Sequence, residues 1–500
     1  MAGMPGSGHG IGLSRSRLLP PPEPAPSAAV TRLAAYPWLV VATTCVAAIM
    51  GQIDASIVQL GLPTLEHAFD ARLDAVSWVA VAYVLGFAAA LPVFARLAET
   101  GGRKSFYLVG FALFGLTSLL CGFAPSLAWL IALRAVQGIG GAMLGANSIV
   151  ILVAAVGPAR RGQALGIFAG SQAVGISIGP AAGGVLLGTL SWHWLFWVSL
   201  PLSLLGMLIG WTVLPVTPPG TAEPGFDARG ALLLVPGLVA LLTAIMELHA
   251  WGAMAPATLG CAAAALALLA GFVRQEWRTR APLLDLSLFA SRAFSGGIVA
   301  VLLSYAMLYG MFFAMSFALV RGYHDAPLAA GLRLTIIPLA LGIVAPFSGG
   351  FSERRPRLVM LCGMALCLVA ATALRGLLTG APGSLAGVMA ALAIFGAGLG
   401  LFIAPNNNAT LGAAPAARSG EAGGLLNLVR AFGTGTGVAA ASTVLGWRLE
   451  LATGLHERTM ASAPSALLAA VGDVMLLLAA CAVLAAAAAS LRAGRRLAPA

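Results

Sequence analysis

Ala95-Arg96-Leu97-Ala98-Glu99-Thr100-Gly101-Gly102-Arg103-Lys104 puts four charged side chains into ten residues, between apolar runs at 75–95 and 105–124. Each flanking run has about the 20 residues that a helix needs to cross the hydrocarbon of a bilayer. A short basic stretch between two such runs reads as a turn joining two spans, on the face where Arg and Lys collect. The same pattern continues in both directions along the chain.

Apolar runs at 38–60, 75–95, 105–124, 127–151, 164–188 and 193–214 form a first group. Two more lie at 229–249 and 256–273, and six follow at 294–320, 328–350, 358–379, 385–411, 423–446 and 467–490. The expectation is an all-α membrane protein with about fourteen spans. Composition agrees: 59% of the 500 residues are hydrophobic and 9% charged, and the mean hydropathy is +0.94. A soluble domain needs roughly 25% charged residues to wet its surface. That excludes a soluble enzyme, a secreted domain and a disordered scaffold. The net charge of +11 does not point to nucleic acid, because the basic residues sit in short clusters between spans. Cys45, Cys121, Cys261, Cys362, Cys367 and Cys481 each lie in an apolar run without a CxxC pair, so neither disulfide nor metal site is expected.

Residues 1–35 are rich in Gly, Pro and Ser and read as a disordered tail with no signal peptide. Orientation follows the cations. With the N-terminus inside, the inner loops hold Arg96, Arg103 and Lys104; Arg160 and Arg161; Arg274, Arg278, Arg280 and Arg292; Arg354, Arg355 and Arg357; and Arg418. The outer loops hold only Arg72, Arg321, Arg448 and Arg458. Both termini are therefore expected in the cytoplasm, and the protein in the cytoplasmic membrane.

The chain matches itself at an offset near 258: Arg160, Gly162, Ala164, Gly166, Ala173, Gly175 and Gly179 align with Arg418, Gly420, Ala422, Gly424, Ala431, Gly433 and Gly437. The opening turn has its own copy, in which Glu353 stands for Glu99 and Arg357 for Arg103. The expected organisation is a tail at 1–35, a six-helix half at 36–214, two inserted helices and a linker at 215–292, a second six-helix half at 293–491 and a basic tail at 492–500. Parallel repeats of this kind, with a site near the midplane, are transporter architecture.

Four motifs carry a family resemblance. The opening turn resembles the Gly-x-Leu-Ala-Asp-Arg-x-Gly-Arg-Lys loop of the major facilitator superfamily, with Ala95 and Glu99 as departures. Arg134-Ala135-Val136-Gln137-Gly138 resembles its intramembrane Arg-x-x-Gln-Gly motif, and Gly179-Pro180-Ala181-Ala182-Gly183-Gly184 its antiporter motif. Leading into the latter, Gly175 adds another small residue for close helix packing. Asp54-Ala55-Ser56-Ile57-Val58-Gln59 through Pro63 is similar to the first-span signature of drug:proton antiporters with 14 spans (the EmrB/QacA type), with Gln59 replacing Asn. Trp192-His193-Trp194 and Pro282-Leu283-Leu284-Asp285-Leu286 look like the same group.

The resemblance implies that Asp54 carries a proton and that Arg134 tunes it. It also implies a latch on the cytoplasmic side, made by Glu99, Arg103 and Lys104 and by their copies Glu353 and Arg357, that favours an outward-open state. Depth agrees for the first pair: at 1.5 Å per residue, Asp54 and Arg134 lie roughly 12 and 11 Å from the outer ends of their expected spans. Charges at such depth face a cavity or each other; a purely structural ion pair is the alternative.

Gln137, Tyr305, Tyr309, Asn407 and Asp473 are candidate cavity residues. The run Asn406–Asn408 either lines the cavity or sits at the inner interface. Tyr305, Met307, Tyr309, Phe312 and Phe313 are either packing or an adaptable wall. Arg333 and Arg430 also fall within spans, while Glu247 and His249 are expected in solvent at the outer end of an inserted helix.

The function expected is proton-coupled export of amphipathic small molecules. The alternative is proton-linked transport of one metabolite, siderophore or lipid. No cofactor is expected beyond the proton as coupling ion, no catalytic constellation and no nucleotide-binding loop is present, and a periplasmic adaptor is left undecided.

Overall fold

The computed structural model describes residue 23 and residues 25–216, 227–279, 282–415, 418–454, 459 and 462–490, without the side chains of residues 100, 349–354 and 419. Fourteen helices in it are long and apolar enough to cross a membrane. In chain order they are α1 (Tyr36–Ala68), α2 (Leu73–Gly101), α3 (Arg103–Cys121), α4 (Leu127–Val156), α5 (Arg161–Thr189) and α6 (Ser199–Val213, after a short turn at Trp194–Trp197). Next come α7 (Ala228–Met246) and α8 (Pro256–Glu276). The last six are α9 (Arg292–Phe317), α10 (Pro327–Arg354), α11 (Pro356–Leu377), α12 (Leu385–Gly412), α13 (Ser419–Thr453) and α14 (Pro464–Ser490).

Helices are the physical requirement here, because hydrocarbon offers no partner for an exposed N–H or C=O. Their exposed faces carry large apolar side chains, such as Leu116, Leu208, Leu266 and Phe347, which suit lipid. Most spans run longer than their apolar stretch. α1 continues from residue 60 through Pro63 to Ala68, because Glu66 at its end is buried and accepts from the Thr459 N–H at 3.0 Å. Asp54 is thereby deeper than its expected depth, roughly 21 Å from the end of its helix at 1.5 Å per residue.

α1–α6 pack into one group and α9–α14 into another, while α7 packs on α2 and α13 and carries α8 on its other side. The inserted pair is tied to both groups. Trp78 Nε1 donates to Glu247 at 2.8 Å, and Thr443 Oγ1 donates to the Ile245 carbonyl at 2.9 Å. Glu247 and His249 are thus not free in solvent as expected: His249 Nε2 stands 3.1 Å from Glu450.

An even number of spans brings α14 back to the face where α1 begins; this is the terminal face, and the opposite one is the far face. The two groups meet most closely toward the far face. Arg321 donates to the Pro63 carbonyl at 3.2 Å, and the Ser77 and Ser442 hydroxyls lie 2.8 Å apart. On the terminal face, the tail expected over 1–35 lies outside the described residues at 1–22 and is structured closer to α1. Ala28–Thr31 forms a helical turn, the Ser27 N–H donates to the Thr212 carbonyl at 2.9 Å, and the Glu23 carboxylate accepts from the Lys104 N–H at 2.9 Å. The basic tail expected at 492–500 lies outside the described residues.

Candidate functional site

Asp54 on α1 and Arg134 and Gln137 on α4 form a closed, buried triad. Arg134 Nη1 donates to Asp54 Oδ2 at 2.7 Å and to Gln137 Oε1 at 2.8 Å, and Gln137 Nε2 donates to Asp54 Oδ1 at 3.1 Å. Arg134 Nε reaches across to the Val79 carbonyl on α2 at 3.1 Å. That reach depends on two glycines. A β-carbon at Gly86 would overlap the Ala135 carbonyl, and one at Gly138 would overlap the Tyr83 carbonyl. Without side chains there, α2 and α4 come into backbone contact. The guanidinium lies 4.5 Å from the centre of the Tyr83 ring, a cation–π contact. Asp54 and Gln137 are fully buried and Arg134 is 1% exposed. In such surroundings a charge is sustained only by its partners.

Tyr83 is also a wall of a central cavity of about 120 Å³, lined by Gln52, Phe87, Gln172, Tyr305, Tyr309 and Arg430 among others. A second cavity of about 320 Å³ lies toward the terminal face and shares Gly145 and Asn427 with the first. It is bordered by Arg96, Glu99 and Arg103 of the charged turn, by Glu421, and by Leu283, Leu284 and Asp285 of the segment before α9. The molecule is joined at its far face and hollow toward its terminal face.

The proposed latch residues divide into different contacts. Glu99 is 3.2 Å from Arg96 and 3.7 Å from Arg103 on its own corner, and Arg103 also donates to Asn147 at 3.4 Å. Arg96 donates to the Pro282 carbonyl at 2.7 Å. Lys104 has further partners. Its Nζ donates to the carbonyls of Trp211 and Leu214 at 2.9 and 2.7 Å, capping the end of α6, where the helix dipole favours a cation. Arg357 is exposed, and the side chain of Glu353 lies outside the described residues. Asp285 closes the segment before α9 by pairing with Arg418 at 2.7 Å. Burial raises its carboxyl, but the Ser287 hydroxyl and N–H and the Arg418 guanidinium outweigh this and hold it below the ordinary carboxylate range.

The antiporter-type motif packs on two partners. A β-carbon at Gly175 would stand 2.7 Å from the Ile49 carbonyl, and one at Gly179 would overlap Ser56 Oγ, so this face lies on α1. Gly183 lies on Ile57 of α1, while Gly184 and the Pro180 carbonyl lie on Pro327 and Gly331 of α10.

Of the candidate cavity residues, Tyr305 and Tyr309 line the central cavity. Gln137 does not; it is taken up by the triad. Asn407 borders neither cavity, and its neighbour Asn406 donates to the Gly297 carbonyl at 3.2 Å. Asp473 lines neither cavity. It pairs with Arg448 at 2.6 Å and with Arg375 at 3.2 Å, tying α14 to α13 and α11 near the far face. Arg333 pairs with Asp325. Arg430, expected only to lie in a span, is the residue that sequence reading undervalued. Gln172 aligns with it at the repeat offset, and that was the available signal.

The family model described as Major Facilitator Superfamily matches residues 44–438. The chain belongs to the Major Facilitator Superfamily. As a member it is a multi-pass membrane protein of a transporter superfamily, and it spans 61% of the length of the first curated relatives it matches. It is 32% identical over 336 residues to the "Multidrug resistance protein B homolog" of Mycobacterium tuberculosis (strain ATCC 25618 / H37Rv), a match that covers 65% of this chain and 61% of that relative. It is 27% identical over 405 residues to the "Riboflavin transporter RibZ" of Clostridioides difficile (strain 630), covering 80% of this chain and 86% of the relative. In fold, this superfamily member is similar to a bacterial homologue of the human lysosomal transporter Spinster in an inward-facing, unoccupied conformation. The TM-score is 0.63 at 17% identity, over 92% of this chain and 97% of that one.

Proposed function

We propose that the protein exports amphipathic small molecules from the cytoplasm across the cytoplasmic membrane, in exchange for protons, by alternating access. The carrying observation is the buried Asp54–Arg134–Gln137 triad, with the Tyr83 ring stacked on Arg134 and also lining the central cavity. The excess of Arg and Lys in the loops of the terminal face supports a cytoplasmic location for that face. On that orientation the present arrangement faces inward.

Protonation of Asp54 removes the charge that Arg134 balances, while the Val79 carbonyl and Gln137 still hold the guanidinium. The α1–α4 contact then weakens relative to α2–α4. α5, packed on α1 through Gly175, Gly179 and Gly183, moves with it against α10. Two global states biased oppositely by proton and substrate are the requirement for exchange. Similarity to a protein named for multidrug resistance supports a broad range of cargo. Similarity to one named for riboflavin supports the second reading, transport of one specific metabolite.

The test is a substrate screen in inside-out vesicles with a pH-sensitive dye. Export predicts substrate-dependent proton efflux from acidified vesicles. A substrate that accumulates with no proton movement would overturn proton coupling.

A further inference from the structure

We infer that the central cavity selects amphipathic anions, with Arg430 as the subsite for the acid group. This rests on the exporter reading for direction only and adds the charge of the cargo.

Among the described residues lining the cavity, Arg430 is the one permanent charge, and no carboxylate lines it. Its Nη1 donates to Asn427 Oδ1 at 3.2 Å and its Nη2 to Gln172 Oε1 at 3.1 Å. Both acceptors are neutral amide oxygens. The contrast with Arg134 is direct. That guanidinium, also within a span, has the Asp54 carboxylate at 2.7 Å, whereas Arg430 has no carboxylate within ion-pair distance among the described residues. A guanidinium at this depth without a counter-ion is costly. An arriving carboxylate, sulfonate or phenolate supplies the missing charge, and the planar fork of Arg can bind a carboxylate through two parallel hydrogen bonds.

The aromatic walls argue in the same direction. Tyrosine faces attract cations, but two of the three cavity tyrosines already carry one. Arg134 lies over Tyr83 at 4.5 Å and Arg430 over Tyr305 at 4.8 Å. The third, Tyr309, directs its hydroxyl to Gln52 Oε1 at 3.4 Å and packs edge-on against Phe312. A cationic drug would meet occupied ring faces and a like charge. The edges and apolar surfaces of Phe87, Phe114, Phe168 and Val84 remain for the apolar body of an anion.

The experiment uses the purified full chain in detergent and two fluorescent probes of matched shape, pyrenebutyrate and pyrenebutyl-trimethylammonium, with binding read by anisotropy. The wild type should bind the carboxylate saturably and at least about tenfold more tightly than the ammonium. Arg430→Gln should remove that preference, and Arg430→Lys should keep part of it. Gln172→Glu supplies an internal counter-ion at 3.1 Å and should weaken carboxylate binding by about tenfold while Arg430 stays in place. That variant answers the question even if Arg430→Gln does not fold. Equal or tighter binding of the ammonium, no saturable binding of the carboxylate, or carboxylate affinity unchanged in Gln172→Glu would each overturn the inference. No proton gradient is present in this assay. Failure of proton coupling, read in vesicles, is therefore a separate result from failure of anion preference.

Discussion

Arg430 and Gln172 are 258 residues apart in the chain and joined by a 3.1 Å hydrogen bond between the two halves. The same separation recurs where Arg321 reaches the Pro63 carbonyl, and a separation of 257 where Tyr309 reaches Gln52. The first two spacings equal the offset at which the sequence repeats, and the third is one residue short of it. Two similar halves related by an axis along the membrane normal bring a residue on that axis against its own counterpart. The cavity is thus lined by one repeat-related pair, Arg430 and Gln172, and the difference within it gives the cavity its charge.

Asp54→Asn copies the protonated form permanently. It should insert and bind substrate, yet lose proton-driven transport by about 100-fold, within the range of general acid–base effects. Asp54→Glu should keep partial activity with an altered pH optimum. The measurement is substrate-induced proton release from detergent-solubilised protein, and equal release from wild type and Asp54→Asn would place the proton site elsewhere.

Ser77 and Ser442 lie 2.8 Å apart across the far-face contact between α2 and α13. If alternating access opens that contact, Ser77→Cys with Ser442→Cys should cross-link under oxidation, stop transport, and recover on reduction. Full transport by a quantitatively cross-linked protein would show that α2 and α13 do not part.

Gly179→Ala should abolish exchange, since even one methyl group overlaps Ser56 Oγ. Adding Ser56→Gly should restore at least about half the rate, because residues in contact are not additive. Failure of the second change to rescue a folded, inserted protein would mean that the motif acts through something other than this contact.

Lys104→Met leaves the Trp211 and Leu214 carbonyls without their charged donor. Hydrogen bonds to a charged group contribute about 1.5–3 kcal/mol each, so the purified variant should melt several degrees lower, read by a thiol-reactive dye or by light scattering. An unchanged melting temperature would show that water replaces the ammonium without loss.

The spans were legible because a bilayer allows one reading of about 20 apolar residues. Their ends were not, since a hydropathy window cannot see that Glu66 is met by Thr459. Asp54 and Arg134 stood out because charges at such depth are rare. Asp473 looked similar by the same rule, and its partners Arg375 and Arg448 come from helices whose adjacency the chain does not announce. Lys104 read as part of the latch because the acceptors of its ammonium are main-chain carbonyls, which no side-chain pattern displays. Arg430 could have been weighted more heavily had its alignment with Gln172 been read as a contact.

Gly183 and Gly184 are neighbours in the chain, their α-carbons about 3.8 Å apart, yet one rests on Ile57 of α1 and the other on Pro327 and Leu328 of α10. A side chain at such a junction acts as a spring, since its rotamers absorb displacement before the backbone moves. Here there is none. A small shift of α10 is handed through one peptide unit of α5 to the stiff, β-branched side chain of Ile57 on the helix that carries Asp54. The coupling between the two halves is in that sense rigid gearing, and its precision is set by a backbone that has nothing attached to bend.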